Sequence, residues 1–185
     1  MADDALSQAR ERMIKSVEAT ARELGHIRTS KATPSLLDGI KVDYFTNMVP
    51  ISQAATISVP EPRMIIIQPW EKKMIPEIVK EIMKSDLGLN PIAEGNVIRL
   101  PIPPLNEERR RELVKHVKNL VEDGRVAIRN IRRDANEQLK KAEKAKEISE
   151  DDHHRTAEKV QELTDKFIGQ LDEMLEAKEE EIMEV

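Results

Sequence analysis

Residues 105 to 146 carry an apolar or small group at Leu113, Val117, Leu120, Gly124, Ile128, Ile131, Ala135, Leu139 and Ala142, a spacing of three and four held over nine positions. At about 100° and 1.5 Å per residue, this predicts one continuous helix of about 40 residues and roughly 60 Å. Asn106 supplies an N-cap, and Glu107 and Glu108 put negative charge in the first turn, where the helix dipole favours it. A helix this long buries its stripe only against partners of comparable length.

Two such partners are present. Leu6, Ala9, Met13, Val17, Leu24 and Ile27, with Thr20 filling the gap, predict a helix over residues 4 to 29, stopped by Thr33-Pro34. Ser149 with Asp152 three residues on approximates a capping box. It opens a third helix with Ala157, Val160, Leu163, Phe167, Leu171, Met174, Leu175 and Ile182 inward. The expected body is therefore a three-helix bundle of residues 1 to 30 and 105 to 185.

Between its first and second helices the texture changes. Ile40, Val42 and Tyr44 alternate, Thr56 to Val59 and Met64 to Ile67 are β-branched and apolar, and prolines gather between positions 34 and 104. Ile75, Ile78, Val79 and Ile82 return to helical spacing from Met74 to Lys84, with the glycine of Asp86-Leu87-Gly88 as the expected C-cap. Glu94-Gly95 reads as a turn before a strand over Asn96 to Leu100. The fold class expected is α+β, with a small β/α/β domain of residues 31 to 104 inserted in the bundle. Thr29, Ser30 and Lys31 on one side and Pro103, Pro104 and Leu105 on the other form a short double linker suited to hinge motion.

The long second helix also sorts its charges. Arg125, Arg129 and Arg132 fall within about 60° of one another, beside the apolar stripe. Arg111, Lys115, Lys118, Arg133 and Lys140 lie on or next to that arc, and Glu108, Glu112, Asp123, Asp134 and Glu137 lie on the other flank of the stripe. The net charge of −5 hides a gradient, roughly +5 over residues 105 to 146 and roughly −10 over 147 to 185. Planar, permanently charged guanidinium groups in a row on a rigid helix suit a nucleic-acid backbone. The competing reading is a solvated face balanced by intrachain acids.

Other chemistry is poorly supported. With no cysteine there is no disulfide, thiolate metal site or cysteine nucleophile. Asp151-Asp152-His153-His154 point about 100° apart along a helix and do not converge on one ion. His26 and His116 stand without a catalytic constellation, and there is no glycine-rich phosphate loop. No metal, cofactor or enzymatic activity is expected. The eight methionines read as core filler. Trp70, Tyr44 and Phe45 are too few and too far from the arginine helix for a single-strand stacking platform, which leaves structured RNA or duplex as the nucleic acid expected. The N-terminus shows no signal-peptide pattern and no apolar run spans a bilayer, so a soluble, cytoplasmic monomer with no membrane partner is expected.

Five stretches in order resemble bacterial ribosome recycling factors from end to end: IRTSKATPSLLDGI (27 to 40), SDLGLNP (85 to 91), IRLPIPPLNEERR (98 to 110), RVAIRNIRRDAN (125 to 136) and EISEDD (147 to 152). The resemblance implies an L-shaped, two-domain, non-catalytic translation factor. Such a factor lies on large-subunit rRNA of the post-termination 70S ribosome and acts with the GTPase elongation factor G to split it into subunits. It also implies that Arg129, Arg132 and Arg133, with Arg28 near the hinge and Arg110 early in the long helix, contact rRNA; Arg125 joins them from the helical wheel. Ser30-Lys31 departs from the family's frequent Gly-Arg at the hinge, and Met183-Glu184-Val185 from its frequent aromatic ending. A helical adaptor or chaperone-like protein that binds another protein is the alternative.

Overall fold

The computed structural model describes residues 1–184; Val185, the last residue of the divergent ending, lies outside the described residues. Helix α1 spans Ala2–Gly25 and buries Ala5, Ala9, Met13, Val17, Thr20 and Leu24. It stops well before Thr33-Pro34, so the expectation of a helix through residue 29 is corrected. Glycine propagates a helix poorly, and from Thr29 the chain is held by a side chain instead, the hydroxyl accepting the Lys31 N–H at 3.2 Å.

Helix α3, Glu107–Lys144, is one unbroken element. Asn106 Oδ1 accepts the Arg109 N–H at 2.8 Å as its cap. The buried stripe matches the expected one except that Val121 is fully buried and Leu120 only half-buried. The helix closes with Lys146 in the left-handed region at φ 60°. The Glu147 N–H reaches back to the Ala142 carbonyl and the Lys146 N–H to that of Glu143, both at 2.9 Å, the double bond of a Schellman ending.

Helix α4 spans Glu150–Met183. Its capping box is reciprocal: Ser149 Oγ accepts the Asp152 N–H at 3.1 Å and donates to Asp152 Oδ2 at 2.7 Å. Val160, Phe167, Leu171 and Ile182 are buried, whereas Ala157, Leu163, Met174 and Leu175 are half-buried. Thr156 and Thr164 take interior positions not read from the sequence. Thr164 keeps its hydroxyl satisfied by donating to the Val160 carbonyl at 2.8 Å.

The inserted segment holds two antiparallel sheets. Strands β1 (Lys41–Tyr44) and β2 (Asn47–Pro50) pair through a two-residue turn at Phe45-Thr46. Strands β3 (Ala55–Glu61), β4 (Met64–Pro69), β5 (Ile92–Glu94) and β6 (Val97–Pro101) form a sheet of order β3-β4-β6-β5. The β4–β6 register sets Ile65 opposite Leu100 and Ile67 opposite Ile98. These four are fully buried and share a core with Ile75, Ile78 and Ile82 of helix α2, Ile75–Lys84. Strands β2 and β5 were not read from the sequence. Gly88 is not the cap of α2, which ends at Ser85 with its hydroxyl donating to the Ile82 carbonyl at 2.6 Å. Gly88, at φ 63°, turns the following loop.

The fold is thus α+β, three long helices in a bundle interrupted by a sheet-containing insertion between α1 and α3. By compactness the chain divides into Met1–Leu24 with Glu112–Glu180, and Gly25–Arg111 with the chain from Glu181. Within the first unit, Arg12 of α1 pairs with Asp134 of α3 at 2.8 Å. Gly124 of α3 faces Thr20 of α1 and Leu171 of α4. Among the described residues no helix is long and apolar enough to cross a membrane.

Candidate nucleic-acid interface

Helix α3 presents Arg125, Arg129, Arg132 and Arg133 along its middle turns, but the four differ in what holds them. Arg125 is the most enclosed, its side chain 21% exposed. Its Nε donates to Asp172 Oδ1 of α4 at 2.9 Å and its Nη1 to Glu122 Oε2 at 3.0 Å. Burial works against its charge, yet the hydrogen bonds to Asp172 and Glu122 prevail and raise its pKa above the ordinary arginine value. Arg129 Nη2 donates to the other oxygen of Glu122 at 2.8 Å. Hydrogen bonds from Arg125 and then Arg129 hold the Glu122 carboxyl below the usual range.

Arg132 makes a weaker contact, Nη1 donating to Gln161 Oε1 at 3.3 Å, while Gln161 donates onward to Asp165 at 2.8 Å. Arg133 is exposed, with no ion pair among the described residues. The row is therefore not uniform: Arg125 is tied to intrachain carboxylates, Arg132 meets only an amide oxygen, and Arg133 makes no ion pair among the described residues. Glu122 was legible, since seven residues before Arg129 amounts to about 20° on the wheel. Asp172 and Gln161 were not, because the wheel of one helix carries no information about its neighbour.

Arg28 and Arg110 belong to the other compact unit. Arg28 is half-buried, its Nη1 donating to the Pro103 carbonyl at 3.4 Å. Burial first, and then the charge of Arg109, pull its guanidinium below its ordinary value. Arg110 has its Nε buried without a hydrogen-bond partner. It lines a cleft of about 770 Å³ with Ser30, Lys31, Arg63 and Pro104, where Glu61 and Glu184 supply opposing charge.

The linker residues differ in how they are held. Thr29 is 1% exposed and donates to Glu181 Oε1 at 2.5 Å. Leu105 is buried, whereas Pro103 and Pro104 are exposed. The Asp151–His154 run serves the turn between α3 and α4: Asp152 caps α4 and His153 Nδ1 meets Glu143 Oε2. Among the described residues no cluster of His, Asp or Glu is placed to hold a metal ion.

Three long helices with a sheet-bearing insertion, and guanidinium groups displayed along the middle turns of α3, define an α+β protein with a basic helical face suited to a polyanionic partner. A family model for ribosome recycling factor matches residues 20–183. Over 185 residues, all of each chain, this one is 54% identical to the ribosome-recycling factor of Halalkalibacterium halodurans and 53% to that of Symbiobacterium thermophilum. The solution structure of a ribosome recycling factor superposes with a TM-score of 0.83 at 46% identity, covering all of this chain and 98% of the other. A second structure, of the T. thermophilus ribosome recycling factor and the E. coli elongation factor G bound to the E. coli post-termination complex, gives 0.73 at 42% identity with both chains covered in full. The chain belongs to the ribosome recycling factor family.

Proposed function

We propose that this chain binds the post-termination ribosome and, together with elongation factor G, separates it into subunits. The observation that carries this is the end-to-end match to a relative bound, with elongation factor G, to a post-termination complex. The chain's own part is binding and transmission of force. GTP hydrolysis belongs to the partner.

Within that reading, residues 1–30 and 105–185 form the RNA-facing bundle and residues 31–104 the inserted domain, with the hinge at Thr29, Ser30, Lys31, Pro103, Pro104 and Leu105. Large-subunit rRNA is contacted by Arg28, Arg110, Arg129, Arg132 and Arg133, with Arg125 of the same row acting through its carboxylate partners. Guanidinium groups along one face of an unbroken helix suit the phosphate backbone of structured RNA. Arg125 contributes chiefly by fixing Glu122, which orients Arg129. Because backbone charge dominates such contacts, binding to the large subunit should weaken steeply with salt.

The test is subunit splitting of post-termination ribosomes with and without elongation factor G and GTP. Splitting that requires both supports the proposal. Splitting by this chain alone, or none with both present, overturns it.

A further inference from the structure

Glu122 is shared between two arginines that are held unequally. Its Oε2 accepts from Arg125 Nη1 at 3.0 Å and its Oε1 from Arg129 Nη2 at 2.8 Å. Arg125 is also fastened to Asp172 of α4 through both Nε and Nη2, at 2.9 and 2.5 Å. Arg129 has no second ion pair among the described residues, and its side chain is 39% exposed. If one guanidinium leaves Glu122 it is Arg129, and Arg125 stays behind to hold the charge of the carboxylate.

Charge along the row follows the same division. Arg125 and Arg129 are matched one for one by Glu122 and Asp172. Arg132 meets only the Gln161 oxygen, and Arg133, with no ion pair among the described residues, is exposed. Arg129 lies about one helical turn before these two. A polyanion approaching α3 therefore meets uncompensated charge at Arg132 and Arg133 first. It finds Arg129 already occupied by a carboxylate, an anionic acceptor that a guanidinium bonds much as it bonds a phosphate.

Resting on the reading that α3 meets large-subunit rRNA, we propose that Glu122 is a specificity-determining residue: it occupies Arg129 in the free chain and yields it only to RNA whose phosphates are already fixed in place. An exposed ion pair contributes little stability, so a phosphate presented at high local concentration displaces the carboxylate. Structured RNA engaged at Arg132 and Arg133 presents its next phosphate in that way. A flexible single strand must first be ordered, at an entropic cost, and a carboxylate in possession of Arg129 tips the balance against it. The exchange strands no charge, since Glu122 keeps Arg125 when Arg129 turns to the phosphate.

Glu122 is exposed, so Glu122→Gln should leave the fold intact, which circular dichroism checks. Wild type and variants are titrated at one fixed salt concentration with poly-uridylate, an unstructured strand, and with large ribosomal subunits. Glu122→Gln should bind poly-uridylate about two- to fivefold more tightly, the range set by one exposed ion pair. It should gain less on large subunits, so that discrimination between the two falls. In an Arg129→Ala background the same Glu122→Gln change should give no gain, because there is no guanidinium to release. An unchanged ratio of the two affinities, weaker large-subunit binding by Glu122→Gln, or a gain that persists without Arg129 overturns the proposal. A separate arm tests the reading beneath it. If Arg129→Ala with Arg132→Ala binds large subunits like wild type, the rRNA face itself is wrong and the proposal falls with it; weaker binding there, with an unchanged Glu122→Gln ratio, removes the role of Glu122 alone.

Discussion

Gly124 and Thr20 mark a close approach of α3 to α1: a β-carbon at Gly124 would stand 2.7 Å from Thr20 Oγ1 and 3.2 Å from Leu171 Cδ1. The Thr20 hydroxyl is held by donation to the Ser16 carbonyl at 3.1 Å, so it cannot turn away without losing that bond. Gly124→Ala gains about 1 kcal/mol of helix propensity but crowds two neighbouring helices, at a cost of about 1–3 kcal/mol. A net fall in urea-unfolding stability is expected. Adding Thr20→Ala should recover part of it, and a double-mutant cycle measures the coupling. Simple additivity would show that the contact is not the cause.

The arginines of α3 should separate into a structural member and ligand-facing members. Arg125→Ala leaves Asp172 and Glu122 without their shared partner. It should lower stability by up to about 1 kcal/mol, as expected for pairs this open to solvent. The double change of Arg129 and Arg132 to alanine should leave the fold intact and weaken large-subunit binding. The log–log salt slope should become shallower by about one to two units if each arginine meets one phosphate. Double lysine should restore affinity only in part, having lost the planar fork. A folded double-alanine protein with unchanged affinity and slope would remove these two from the interface.

Acid should loosen the start of α4. Hydrogen bonds from Ser149, then Arg155, hold the Asp152 carboxyl below its usual value. A carboxyl depressed in the folded state contributes stability that is complete above its unfolded value, about 3.9, and is lost as pH falls through its lower folded value. The stability difference between wild type and Asp152→Asn should therefore be full above about pH 4 and shrink below it. Chemical denaturation across the acid range checks this, and a difference that grows as pH falls contradicts it.

Lys146 occupies the left-handed position of the α3 ending, where glycine carries no steric penalty. Lys146→Gly should raise the melting temperature, because relief of about 1–2 kcal/mol of local strain outweighs the extra freedom given to the unfolded chain, about 0.4–1 kcal/mol. Lys146→Ala keeps the strain and should not stabilise. Equal responses from the two variants would place the effect in the lost charge instead.

Three long helices and the insertion between the first two are legible in the order of residues, because burial on a helix repeats every three or four residues and the pattern runs over many turns. So are the caps at Asn106 and Ser149, which are local hydrogen bonds between residues three apart. Strands β2 and β5 escaped because neither Asn47–Pro50 nor Ile92–Glu94 alternates buried with exposed residues, and only pairing with β1 and β6 makes them strands. The choice of Val121 over Leu120 and the burial of Thr164 depend on where a neighbouring helix lies. That Asp172 of α4 claims Arg125 of α3, and that Lys73 settles on the ring of Phe45, 28 positions away in the sequence, follows from how distant segments pack. Periodicity reports which face a helix or strand buries; the identity of what meets that face is fixed only when distant segments pack.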